Sequence, residues 1–164
     1  MTQGLRSLYP KSRYIFPDAN ILVLLIAGQV RPNLIPQLSP CNYRFDIDDF
    51  EVLSNLLAQF DATITTPYIL AEVNSLLSAL DNNSMVECRA KLAEYIPRLE
   101  SRYTEPNDLA SSSQFPNFGI SDVSILFASN QALVVTQDGG LLSLLQEQCD
   151  VLDYTAVKQL ISAS

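Results

Sequence analysis

Two kinds of apolar pattern alternate along this chain: short unbroken runs, and longer stretches in which apolar residues recur every three or four positions. The run RYIFPD (13–18) reads as a short buried strand, and ANILVLLIAGQ (19–29) as the helix that follows it. The stretch 30–45 carries Pro32, Pro36 and Pro40 and cannot be helical throughout, so a loop excursion is expected there. DIDDFEVLSNLLAQF (46–60) opens with aspartates and sets Phe50, Leu53, Leu56, Leu57 and Phe60 at helical spacing, an amphipathic helix. The β-branched DATITT (61–66) is the next strand. Thr66 then caps, and Pro67 suits the first turn of a helix over 67–80. A polar-faced helix is expected over 84–103, kinked or restarted at Pro97, followed by a second loop excursion over 104–118. The last third predicts a helix at 120–131, a strand at 132–136, a helix at 138–148, a strand at 149–154 and a terminal helix.

Strands that are apolar without alternation, and separated by helices, belong to a parallel sheet covered on both faces. The expected fold is therefore a three-layer α/β sandwich with a short central parallel sheet flanked by helices. No repeat or linker divides the chain, so residues 1–164 form one expected domain, with 1–12 as an N-terminal extension.

Composition narrows the function. The chain is 48% apolar over 164 residues, enough for one domain with a proper core. Its net charge is −8 and it has no basic tract, which argues against a protein held on nucleic acid by many phosphate contacts. It has no histidine, which removes His-based acid–base catalysis and Ser-His-Asp triads. Cys41, Cys88 and Cys149 stand far apart and form no CxxC pair, so they read as reduced thiols and favour a cytoplasmic location. The run ILVLLIAG (21–28) is too short for a membrane span, and Asp18 and Asn20 stand where the apolar part of a signal peptide should begin.

In an open parallel sheet, sites form outside the carboxyl ends of the strands. Asp18 ends the first expected strand. Thr136 ends the strand 132–136, with Asp138 on the turn beyond. Glu72 lies in the second turn of the helix leaving strand 61–66, and Asp122 in the first turn of the helix entering strand 132–136. All four carboxylates are thus expected on one rim. Each has a plainer explanation: Asp18 and Asp138 as helix caps, Asp122 as a first-turn acid, Glu72 as a solvated helix residue. Together they ask for a neutraliser, since like charges raise one another's pKa and no Lys or Arg stands close to any of them in sequence. An all-oxygen set suits Mg²⁺ or Mn²⁺.

The segments FPDANILVLL, TPYILAEVNSLL and GISDVSILFASNQALVVTQDGGLL resemble, in order and spacing, the motifs of PIN-domain nucleases, over Tyr14 to Tyr154. The DGG after the T-x-D departs from that family's usual pattern, as does the acidic balance. The resemblance implies a Mg²⁺- or Mn²⁺-dependent endoribonuclease acting on single-stranded RNA. Asp18, Glu72, Asp122 and Asp138 would be its catalytic and metal-holding residues, and Asn20 and Thr136 polar supports that hydrogen-bond the carboxylates. Arg13, Lys91, Arg98 and Arg102 are the candidate phosphate contacts, although Glu87 and Lys91 stand at the spacing of a helix ion pair. Two alternatives stay open: an inactive PIN-type binding module, and a toxin held by a basic antitoxin partner. A homodimer is also open. A Mg²⁺-dependent phosphatase would want Asp-x-Asp where this chain has Asp18-Ala19-Asn20.

Overall fold

A computed structural model describes residues 4–41 and 45–162, the side chains of 39–41 and 160–162 aside. Five strands form one sheet in the order β3-β2-β1-β4-β5: β1 (Tyr14–Pro17), β2 (Ala62–Thr65), β3 (Glu100–Ser101), β4 (Ala132–Thr136) and β5 (Asp150–Asp153). Every pairing is parallel. The helices are α1 (Ala19–Val30), α2 (Ile47–Leu57), α3 (Pro67–Leu76), α4 (Asn82–Tyr95), α5 (Pro106–Ala110), α6 (Phe115–Ala128), α7 (Gly139–Leu145) and α8 (Tyr154–Ser162). This is the α/β sandwich the patterns predict. α1 packs with α2, α3 and α4, and α6 with α5 and α7, the two groups that right-handed crossovers set on opposite faces of such a sheet.

α1 has no polar side over most of its length, because residues 21–28 are buried all round. A helix that is apolar on every side must be enclosed. It lies against β1 and β4 and is itself covered by α2, α3 and α4. A side chain at Gly28 would run into the Phe50 ring of α2, so glycine permits that close approach. β4, buried along its whole length, is the centre of the other half of the core.

The differences from expectation sit at polar stretches. The two-residue strand β3 falls inside the expected helix 84–103. Pro97 limits the chain to a 3₁₀ turn over Ile96–Arg98, after which Leu99 is extended. Glu100 and Ser101 are both exposed, so this edge strand lacks the apolar run that marks a strand, and its charge protects the edge. The expected excursion 30–45 is largely a 3₁₀ segment, Pro32–Cys41, because proline's φ suits that winding; residues 42–44 lie outside the described residues. Within 104–118, Pro106 opens α5 and Pro116 lies in the first turn of α6, so proline starts helices where only a loop is expected. α6 is broken at Gly119 (φ 78°), a backbone angle that favours glycine, and the helix restarts beyond it. Cys88 and Cys149 are free thiols; the side chain of Cys41 lies outside the described residues.

Candidate functional site

Strand order reverses between β1 and β4: from β1 the chain winds outward through β2 and β3, then returns to β4 and β5. Open α/β sheets leave a crevice at the carboxyl ends of the two strands on either side of such a reversal. Asp18 leaves β1 at this point and Thr136 ends β4 beside it, with Pro17 paired to Val135 and the Asp18 N–H donating to the Val135 carbonyl at 3.0 Å.

The capping explanation of Asp18 and Asp138 is correct as far as it goes. Asp18 Oδ1 accepts the Ile21 N–H at 2.9 Å and caps α1; Asp138 Oδ1 accepts the Leu141 N–H at 3.0 Å and caps α7. Each cap uses one oxygen and thereby fixes the direction of the other. Thr136 joins the two acids: its hydroxyl donates to Asp18 Oδ2, and its oxygen accepts the Asp138 N–H at 3.0 Å. Thr136 thus makes the hydrogen bond to a carboxylate expected of it, and Asn20 does not. Its side chain bonds none of the carboxylates, and its Oδ1 is buried without a partner.

Glu72 and Asp122 reach the same rim on different helices and are both half-buried. The break at Gly119 puts Asp122 in the first turn of the restarted part of α6. A buried hydroxyl pair that sequence reasoning missed holds α3 and α6 together: Thr66 and Ser124 lie 2.9 Å apart. Ser124 gives its one hydrogen to the Ser121 carbonyl (2.6 Å), so Thr66 donates to Ser124 while accepting the Ile69 N–H at 3.2 Å. Thr66 is legible as a cap. Ser124 is not, because a lone serine in an apolar helix carries no pattern.

The acids act on one another. Burial, with the charges of Glu72 and Asp122, lifts Asp18 to about 7 against the opposing hydrogen bonds from Thr136 and Ile21. Burial, with Asp138 and Glu72, lifts Asp122 to about 6. All four acids thus belong to one electrostatic group. The expected basic contacts do not join it. Arg13 precedes β1 and pairs with Asp61 at 3.2 Å on the opposite, amino edge. Lys91 pairs with Glu94 at 2.9 Å, not with Glu87, which takes Arg31 at 2.6 Å. Arg98 is exposed on the 3₁₀ turn ahead of β3. Arg102 follows β3 but turns back, donating to the Ala128 and Asn130 carbonyls at 2.7 Å each.

The donors are all oxygen, and the orphaned Asn20 Oδ1 stands two residues on from Asp18. That chemistry fits a hard divalent cation such as Mg²⁺ or Mn²⁺. Among the described residues no three acidic or thiol groups are already gathered into a cage. Mg²⁺ needs none, since it keeps several waters and commonly takes one or two carboxylates. Among the described residues, no helix is long and apolar enough to cross a membrane. Compared with models of protein families, with curated proteins and with solved structures, the chain matches none of them.

Proposed function

We propose that the protein is a Mg²⁺- or Mn²⁺-dependent endoribonuclease that cleaves phosphodiester bonds of single-stranded RNA in the cytoplasm. One observation carries this reading: Asp18, Glu72, Asp122 and Asp138 share the switch point of a parallel sheet, and no described cation neutralises them. The resemblance of the same residues, in order, to the motifs of PIN-domain nucleases supports it. When bound, the ion would lower the pKa of a water and offset charge developing on phosphate. Asp18 and Asp138 would hold it through the lone pairs their caps leave open. Glu72 and Asp122 would complete the set or orient the attacking water. Thr136 fixes the direction of Asp18 and, through the Asp138 N–H, the turn that carries Asp138.

The lack of a described cation at this edge also favours a second reading, a PIN-type module that no longer cuts and whose acidic crevice takes a Lys- and Arg-rich partner segment. Incubation with single-stranded RNA and Mn²⁺ decides between them. Cleavage is expected, and Asp18→Asn and Asp122→Asn should each abolish it while circular dichroism shows the fold retained. Absence of cleavage with either ion would leave the second reading.

A further inference from the structure

Among the described residues no cation is paired with the four acids of this edge, yet the edge carries exposed aromatic surface. Tyr103 comes just after β3, on the edge where the carboxylates lie, and is 59% exposed. Its ring is nearly parallel to that of Tyr68, with centroids 6.3 Å apart and planes 12° from each other. Tyr68 is one helical turn ahead of Glu72 in α3, so the two share a helix face and the stacked pair borders the acids.

The pair is held in place. The Tyr68 hydroxyl donates to the Thr104 carbonyl at 2.7 Å, bridging α3 to the segment after β3. Arg102, next to Tyr103, is anchored through its N–H to the Thr65 carbonyl at 2.9 Å and through its guanidinium to Ala128 and Asn130. That guanidinium also lies 5.0 Å from the centre of the Tyr14 ring. Tyr103 thus presents an aromatic surface without needing to be ordered first, which lowers the cost of binding. The half-buried Phe118 ring lies against Gly140, two residues beyond Asp138. Arg102 and Lys158, the described cations whose elements lead toward this edge, are both committed, the latter to Asp49 at 2.8 Å.

We propose that Tyr103 is a stacking seat for an unpaired nucleobase, so that this edge grips single-stranded RNA by its bases more than by its phosphates. The proposal rests on the reading of the edge as a ribonuclease site and adds how substrate is held there. Stacking is tolerant of sequence, because every base has a π-face. It is also the attraction left when phosphates meet carboxylates instead of lysines.

The chain has no tryptophan, so Tyr103→Trp places a single reporter in the seat. A short oligo(A) RNA should quench its emission, while an abasic strand of the same length should not. Tyr103→Ala should weaken oligo(A) binding roughly 5- to 150-fold, and Tyr103→Phe should retain it. The logarithm of the binding constant should fall with log salt at a slope no steeper than about −1.4, the value for two phosphate contacts of a single strand. Unchanged binding by Tyr103→Ala, equal binding of the abasic strand, or no binding by the unaltered protein would each overturn the seat. Cleavage is scored apart: binding through Tyr103 without cleavage removes the nuclease reading and keeps the seat. Cleavage indifferent to Tyr103→Ala does the reverse.

Discussion

Asp49 and Asp18 are buried to nearly the same depth, 3% and 5% exposed, and each stands at the start of a helix. Asp49 is surrounded by donors. Tyr154 gives its hydroxyl at 2.7 Å, Lys158 its ammonium at 2.8 Å, and the Asp46 backbone N–H bonds it at 2.7 Å within a capping box. The same contacts tie α8 to α2, and burial, followed by the bond to and charge of Asp49, holds the Tyr154 phenol far above its usual range. Asp18 has two neutral donors and acidic neighbours. Among the described residues the fold supplies a lysine to one buried carboxylate and no cation to the other. That contrast sets an acid paired within the fold against one left with neutral donors only.

The largest effect should come from breaking the satisfied site. Asp49→Ala removes the closest described carboxylate from the Lys158 ammonium, which keeps Asp46 at 3.9 Å, and takes the acceptor from the Tyr154 hydroxyl and the Asp46 N–H. Removing one side of a buried ion pair costs about 3–5 kcal/mol. At roughly 2–4 °C per kcal/mol for a chain of this size, the melting temperature should fall on the order of 10 °C. A drop of only a degree or two would show that the two aspartates differ less than their partners suggest.

Asp18→Asn should act in the opposite direction. The folded protein holds a proton on Asp18 up to about pH 7, whereas the ordinary carboxyl loses it near 3.8. Between these values the unfolded chain binds fewer protons than the folded one, so stability is full below the lower value and falls as pH rises through the window. The whole difference amounts to about 4 kcal/mol. The amide must re-sort the bonds to Ile21 and Thr136, at about 1 kcal/mol. A gain of about 3 kcal/mol is therefore expected in urea melts near pH 8 without divalent cations, shrinking to nothing near pH 4. A loss at pH 8 would mean that the carboxylate is already neutralised.

Much of this contrast is legible in the sequence, and the part that is not has physical reasons. Asp18 and Asp138 announce themselves because short apolar runs mark strands, and topology then puts strand ends on one edge. Thr136 follows from the same logic. β3 hides because a two-residue polar edge strand has neither burial nor periodicity. Asn20 misleads because spacing gives a residue's place along the chain but not the direction of its amide. Lys158 and Asp49 are 109 positions apart, and nothing local links an acid in one helix to a lysine in another. The stack of Tyr68 on Tyr103 escapes for the same reason.

A divalent cation should narrow the difference between the two aspartates. If Mn²⁺ binds the folded protein and not the unfolded chain, a concentration ten times Kd adds about 1.4 kcal/mol, and a hundred times about 2.7. The gain should appear near pH 8 and fade near pH 5, where the protons on Asp18 and Asp122 compete with the ion. Asp18→Asn should blunt it and Asp49→Ala should not. Thermal melts of the three proteins with and without Mn²⁺ make the comparison; equal gains in Asp18→Asn would place the ion elsewhere.

The smallest effect belongs to Thr136→Val, and it tests one of the two donors by which the fold restrains Asp18. The hydroxyl donates to Asp18 and accepts from the Asp138 N–H, so its loss leaves a buried oxygen and a backbone donor each short of a partner. A cost of about 1–2 kcal/mol is expected. The size should depend on pH. The bond to Asp18 favours the ionised form and lowers its pKa, so without it the carboxyl titrates higher still. Bonds to a charged acceptor are also the stronger ones. Urea melts should therefore show a larger loss near pH 8, where Asp18 is mostly ionised, than near pH 5, where it holds its proton. A cost equal at both values would reduce Thr136 to a scaffold for the turn at Asp138, leaving the Ile21 N–H as the one donor that restrains Asp18.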